Sequence, residues 1–233
     1  MTPIFIILIA IWAAAYVVGY LRRVPDAEGD LRIPLWTKLV MIGVTLAVAG
    51  ILVGQDFPNI ATAAILLILG LLFGAIGDLI LANVFPLKHP ELAAMGAFGI
   101  GHGFYIVTIL ALSSALARMP FIQIMITLGI SLIAGAALWR VLVYNPTGKS
   151  SLNTGSLIYG LVLVSVVGLA INLWLQTGSF ALLAVGIILF AISDVILAQS
   201  LIRKQGTPFL RDIVWIIYSG GQMLIAFSVA AFN

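Results

Sequence analysis

The sequence holds two short segments in which an aspartate interrupts a long apolar run. Residues 70–83 read GLLFGAIGDLILAN and residues 186–199 read GIILFAISDVILAQ, so Asp78 and Asp194 stand at matching positions. A charged side chain at the centre of a membrane helix costs about 2.5 to 3.5 kcal/mol or more, so such residues usually face a cavity or a polar partner. Two carboxyl groups in one cavity can divide acid and base catalysis between them. We therefore take both aspartates as candidate catalytic residues.

Other polar side chains occur at helical spacing in the neighbouring apolar segments. His102 and Tyr105 are three residues apart in GHGFYIVT. In the last predicted span, four polar or aromatic side chains follow one another at steps of four, three and four residues and form a stripe. Residues so spaced share one helix face. A purely structural role, with each aspartate bonded to a nearby amide or hydroxyl, is the alternative. The candidate supporting residues are His102, Tyr105, Tyr218, Gln222, Asn83, Ser193 and Arg211, the stripe being Arg211, Trp215, Tyr218 and Gln222.

The sequence lacks the residues that several common kinds of catalysis require. The chain has no Cys, no G-x-S-x-G nucleophile elbow, and neither a P-loop nor a dinucleotide fingerprint, so we expect no cofactor. A catalytic zinc site needs about three protein ligands. Asp78, Asp194 and His102 could form one, but the other histidine, His89, falls in a predicted loop. We expect no metal.

Composition predicts the elements that hold these side chains. Of 233 residues, 63% are hydrophobic and 8% charged, against about 25% charged in a soluble domain. An apolar stretch of about 20 residues crosses the membrane as a helix. The sequence thus predicts an all-α membrane bundle of eight transmembrane helices, at residues 3–20, 34–54, 59–83, 91–113, 119–143, 152–176, 179–200 and 208–231.

The two aspartate segments also indicate an internal duplication. Their offset is 116 residues, about half the chain, and the same shift carries predicted spans one to four onto spans five to eight. We expect a single membrane domain, residues 1–233, built as a 4+4 parallel repeat with halves 1–116 and 117–233. Four crossings per half give both halves the same orientation. The aspartates would then lie at equal depth in one central cavity, open toward the cytoplasm.

Basic residues predict the orientation, because Lys and Arg are retained on the cytoplasmic side. All except Arg118 fall in or beside the connections after spans one, three, five and seven. We expect both termini to be non-cytoplasmic. The membrane would be the inner membrane in a bacterium or the endoplasmic reticulum membrane in a eukaryote. The charges form no continuous face for nucleic acid. The residues on the cytoplasmic side are Arg22, Arg23, Arg32, Lys38, Lys88, Arg140, Lys149, Arg203, Lys204 and Arg211.

Four segments in this order, GAIGDLILA, GHGFYI, FAISDVILA and YSGGQMLIA, resemble the YhhN family, which includes lysoplasmalogenases of the TMEM86 type. The resemblance covers nearly the whole chain. It places the family's membrane aspartates at Asp78 and Asp194, and its supporting polar residues at the positions His102, Tyr105, Tyr218 and Gln222.

The resemblance implies hydrolysis of the sn-1 vinyl-ether bond of a lysoplasmalogen to a fatty aldehyde and glycerophosphocholine or glycerophosphoethanolamine. The partners expected are this lysophospholipid, or a related ether lipid, and the surrounding membrane lipids. One aspartate would act as general acid and the other would stabilise the oxocarbenium ion, with Arg211 near the lipid phosphate. The alternatives are a proton-coupled transporter or lipid carrier with a site between the repeats, and a membrane protein with purely structural aspartates.

Overall fold

The fold consists of long helices joined by short connections. The computed structural model describes residues 2–25, 31–55, 61–116, 118–205 and 208–232, without the side chains of residues 55, 208, 209 and 211. The helices are α1 (Pro3–Leu21), α2 (Leu35–Gln55), α3 (Ala61–Leu81), α4 (Pro90–Leu116), α5 (Phe121–Leu142), α6 (Ser150–Thr177), α7 (Ala181–Leu201) and α8 (Pro208–Phe227).

All eight helices of the described ranges are long and apolar enough to cross a membrane, which confirms the predicted bundle. Their ends fall within a few residues of the predicted ends. The other regular elements in these ranges are small. Strands β1 (Val24–Pro25) and β2 (Leu31–Arg32) form an antiparallel hairpin between α1 and α2, and a 3-10 turn at Ser228–Ala231 follows α8.

The helix pairs α3–α4 and α7–α8 have the most extensive packing in the bundle. Helix α3 packs along α4 and α7 along α8, while α6 contacts α4, α5 and α7. Helices α1 and α5 are the least buried, because only 17% and 11% of the residues in their most apolar stretches lie inside the protein. Because lipid is as apolar as the core, such helices can face the bilayer with Ile and Leu side chains.

The packing is compatible with the predicted 4+4 duplication, which stays a prediction. The pairs α3–α4 and α7–α8 correspond under the shift of 116 residues, and so do α4–α6 and α8–α2. The last two pairs each join one half of the chain to the other. Residues of both halves therefore surround the aspartates.

Tight helix contacts at α3–α4 and α7–α8 depend on glycine. A Cβ at Gly70 would overlap the ring of Tyr105, and a Cβ at Gly186 would lie 2.7 Å from the carbonyl oxygen of Gly221. Small residues let helix backbones approach closely in membranes. These contacts hold the aspartate-bearing helices α3 and α7 against α4 and α8.

Candidate functional site

Asp78 ends a chain of hydrogen bonds that begins on α4. Tyr105 donates its hydroxyl to Gln222 Oε1 at 3.0 Å, and Gln222 Nε2 donates to the Tyr218 oxygen at 3.1 Å. Tyr218 then donates to Asp78 Oδ2 at 2.8 Å. The structure thus brings these four predicted residues together, and the side chains of Tyr105, Tyr218 and Gln222 are buried.

The stripe predicted on α8 is confirmed for its three described side chains. The rings of Trp215 and Tyr218 lie 5.5 Å apart, and Gln222 bonds Tyr218 one turn further on. Lys38 of α2 places its ammonium 4.8 Å from the centre of the Trp215 ring. The stripe thus links the hydrogen bonds of Asp78 to an aromatic ring that contacts Lys38.

Asp194 has a different partner, Tyr159 of α6. The Tyr159 hydroxyl donates to Asp194 Oδ2, and His102 Nε2 lies 3.0 Å from the same hydroxyl oxygen. Because the Tyr159 hydroxyl uses its single hydrogen to bond Asp194, its oxygen accepts a hydrogen bond from the N–H of His102 Nε2. The structure therefore joins α4, α6 and α7 in a relay from His102 through Tyr159 to Asp194.

Tyr159 was not predicted from the sequence, because its helix, α6, contains neither of the two matching aspartate segments. Its signal was a polar face on α6. Asn153, Ser156 and Tyr159 follow one another at steps of three in α6, and Ser156 accepts from Trp139 Nε1 at 3.0 Å. Residues at this spacing share one face, here the face toward Asp194.

Aromatic side chains occupy the space between the two networks. Phe190 of α7 lies 4.9 Å from the ring of Tyr218 and 4.6 Å from that of His102, and Phe98 packs 6.0 Å from Phe190. The rings separate the polar partners of Asp78 from those of Asp194.

The expected single central cavity is replaced by two. Asp194 and Tyr159 line a cavity of about 420 Å³, which lies within the usual size range of small-molecule pockets. Asp78, Tyr218 and Gln222 line a separate cavity of about 20 Å³, enough for roughly one water molecule. A shared cavity is therefore wrong, because α4 and α7 fill the space between the carboxyl groups with aromatic rings.

The larger cavity is mostly apolar and carries a few polar side chains. On α7 its lining extends from Ile188 to Leu201, with Asp194 near the middle. Ser156, Trp139 and Glu91 line the part nearer the predicted cytoplasmic end, while the deeper part is lined by Leu163, Val164, Val167 and Ile188. Asp194 is therefore a carboxyl group on the wall of a mostly apolar cavity, a setting that suits an apolar chain.

Asn83 does not join the site. It is exposed and has a positive φ of 56° at the end of α3. Its N–H donates to Ile80 O at 3.0 Å, and Val84 N–H donates to Leu79 O at 3.1 Å. This is the bonding of a Schellman cap, in which Asn tolerates the left-handed conformation. Asn83 thus ends the helix rather than bonding Asp78.

The remaining predicted residues are Ser193 and Arg211. Ser193 is buried, but its hydroxyl donates to Phe190 O at 2.6 Å in its own helix. Such a bond to a backbone carbonyl satisfies the serine hydroxyl within the helix. The predicted phosphate contact of Arg211 involves a side chain that lies outside the described residues.

The comparisons with known proteins give a family. A family model described as the YhhN family matches residues 46–229. This range begins in the middle of α2, extends beyond the end of α8 and contains both aspartates with their hydrogen-bonded partners. Neither the curated proteins nor the solved structures give a match to this chain. The matched range covers more than half of the 233 residues. The protein therefore belongs to the YhhN family.

Proposed function

We propose that this protein is a membrane lipid hydrolase that cleaves the sn-1 vinyl-ether bond of lysoplasmalogens. The observation that carries the proposal is the mostly apolar cavity of about 420 Å³ with Asp194 and Tyr159 on its wall. The products are a fatty aldehyde and glycerophosphocholine or glycerophosphoethanolamine. Membership of a family that includes lysoplasmalogenases supports the same activity.

The first chemical step is protonation of the vinyl ether by Asp194. In its acid form Asp194 gives its proton to the β-carbon, and the C=C electron pair forms the new C–H bond. The positive charge is then shared between the α-carbon and the ether oxygen. The resulting Asp194 carboxylate stabilises this oxocarbenium ion electrostatically.

Water completes the reaction. Its oxygen bonds the α-carbon, and Asp194 takes the proton that the water loses. The hemiacetal then transfers its hydroxyl proton to the glycerol oxygen as the C–O bond breaks, which gives aldehyde and alcohol. One carboxyl group thus serves as acid and then as base, and one water molecule is consumed per bond cleaved.

Tyr159 and His102 position the carboxyl group of Asp194. The Tyr159 hydroxyl holds Oδ2, and His102 holds the Tyr159 oxygen at 3.0 Å. This leaves the second carboxyl oxygen for substrate and water. We assign Asp78 an indirect role, because it lines the smaller cavity and bonds Tyr218.

Aldehyde release by the purified protein tests the activity. The full chain in detergent is given a lysoplasmalogen, and free aldehyde is measured against an empty-micelle control. The proposal expects steady release that scales with protein concentration. Absence of aldehyde from well-folded protein contradicts it, and flux of the lipid across proteoliposomes without product would favour the transporter alternative.

Substitution of each aspartate tests the division of roles. Asp194→Asn should lower kcat roughly 10²- to 10⁴-fold, the usual contribution of general acid–base catalysis. Asp78→Asn keeps an acceptor for Tyr218 and should lower kcat by less than about tenfold, because its carboxyl does not reach the substrate. Equal losses would instead support a reaction that uses both carboxyl groups.

A further inference from the structure

Hydrogen bonds join the ends of α5 and α7 beside the predicted cytoplasmic end of the larger cavity. Arg203 Nη1 donates to Val141 O at 3.0 Å and to Leu142 O at 3.3 Å. Asn145 Nδ2 donates to Ile202 O at 2.8 Å. Leu142 and Leu201 line the cavity beside these bonds. We call Arg203 and Asn145, with the carbonyls they bond, the clasp.

The side of the cavity has a different character. Helices α5 and α7 both pack on α6, and the cavity lies between them. Leu138 of α5 and Ile192 of α7 line the cavity, yet they are 48% and 45% exposed. Exposed Leu and Ile at this depth face lipid. The cavity wall between α5 and α7 therefore adjoins the bilayer.

The depth of the cavity requires a way out for a long chain. Six residues separate Asp194 from Ile188, the deepest lining residue of α7, which is about 9 Å along a helix. A lipid chain of one leaflet extends about 15 Å, half of the hydrocarbon core. The end of such a chain cannot fit below Asp194 and must leave the cavity sideways.

We propose that the gap between α5 and α7 is a lateral portal for the single hydrocarbon chain of a lysolipid. The chain enters from the bilayer past Leu138 and Ile192, the reacting bond stops at Asp194, and the chain end stays in lipid. The head group lies under the clasp. The identity of this occupant rests on the proposed function, and the aldehyde product returns to the bilayer by the same route.

Photo-crosslinking tests the portal independently of hydrolysis. The full chain in phosphatidylcholine vesicles is irradiated with a lysophosphatidylcholine that carries a diazirine in its alkyl chain. Peptides are then mapped by mass spectrometry. We expect label on the lining segments of α5, α6 and α7. In Leu138→Trp and Ile192→Trp this label should fall about tenfold, equivalent to about 1.4 kcal/mol of lost binding.

Matched variants separate the portal from general damage. Ile133→Trp and Leu182→Trp change residues of the same helices that are 74% and 45% exposed, and both lie outside the cavity lining, so they should keep the label. An equal loss in these controls overturns the portal. More label in Arg203→Ala, with none lost in the portal variants, overturns it in favour of entry from the cytoplasm. Missing aldehyde with normal labelling contradicts the hydrolase alone.

Discussion

At the scale of single residues, two aspartates in nearly matching sequence segments have unlike surroundings. Asp78 accepts from Tyr218 of α8, whereas Asp194 accepts from Tyr159 of α6. Only the second lies on the wall of the larger of the two cavities that contain them. Because chemistry on a lipid needs room beside the carboxyl group, this difference assigns the proposed reaction to Asp194.

Removing the Tyr159 hydroxyl is the sharpest test at this scale. Tyr159→Phe keeps the ring but breaks the bond to Asp194 and the link to His102, so aldehyde release should fall. Hydrogen bonds to charged groups contribute about 1.5 to 3 kcal/mol, so we expect a loss of about 10- to 150-fold in kcat/KM.

Tyr218→Phe is the matched control, because it removes the equivalent bond to Asp78. It should leave kcat/KM within about fivefold of the unmodified protein, since Asp78 does not touch the proposed substrate. Size-exclusion profiles show whether each variant is folded. A larger loss in Tyr218→Phe than in Tyr159→Phe would place the chemistry at Asp78.

At the scale of helices, close crossings hold the networks in place. Gly186 of α7 and Gly221 of α8 face each other, and a Cβ on either would lie 2.7 Å from the carbonyl oxygen of the other. At the corresponding crossing of α3 and α4, the ring of Tyr105 covers Gly70. The α7–α8 crossing thus depends on backbone contact, which admits no extra methyl group.

Adjacent glycines of α8 test this crossing. Gly221→Ala should lower the free energy of unfolding by about 1 to 3 kcal/mol, the usual effect of overpacking. At Gly220 a Cβ would meet no atom within 4 Å. Gly220→Ala should therefore be neutral, or stabilising by up to about 1 kcal/mol through helix propensity. Thermal unfolding in detergent measures both, and equal midpoints would contradict the proposed close contact.

At the scale of the whole molecule, basic residues collect at one end of the bundle. Arg23 pairs with the buried Asp212 at 3.0 Å, and Arg203 belongs to the clasp. Both lie at the end predicted to be cytoplasmic. If the positive-inside rule holds here, the head-group part of the larger cavity faces the cytoplasmic leaflet.

Cysteine labelling tests this orientation cleanly, because the chain has no Cys of its own. Thr147, between α5 and α6, and Ser179, between α6 and α7, are both exposed and lie at opposite ends of α6. An impermeant maleimide on intact cells should label Ser179→Cys but label Thr147→Cys only after permeabilisation. The reverse pattern would place both termini in the cytoplasm.

Much of the fold could be read from the chain itself. The hydrocarbon core demands long apolar helices, so composition and segment length determine their number and approximate ends. The α8 stripe was equally readable, since a helix places Trp215, Tyr218 and Gln222 on one face. Asn83 was misassigned because its backbone conformation, with φ of 56°, is not visible in its residue type.

The sequence alone determined a membrane bundle, its eight spans and the two aspartates within them, because local hydropathy and residue type carry that information. Only the tertiary structure decided that Asp78 and Asp194 line different cavities and that Tyr159 is the partner of Asp194. Tyr159 is 35 residues from Asp194 in the chain. The packing of α6 between α4 and α7 brings it there, and the helix contacts that set this packing are long-range.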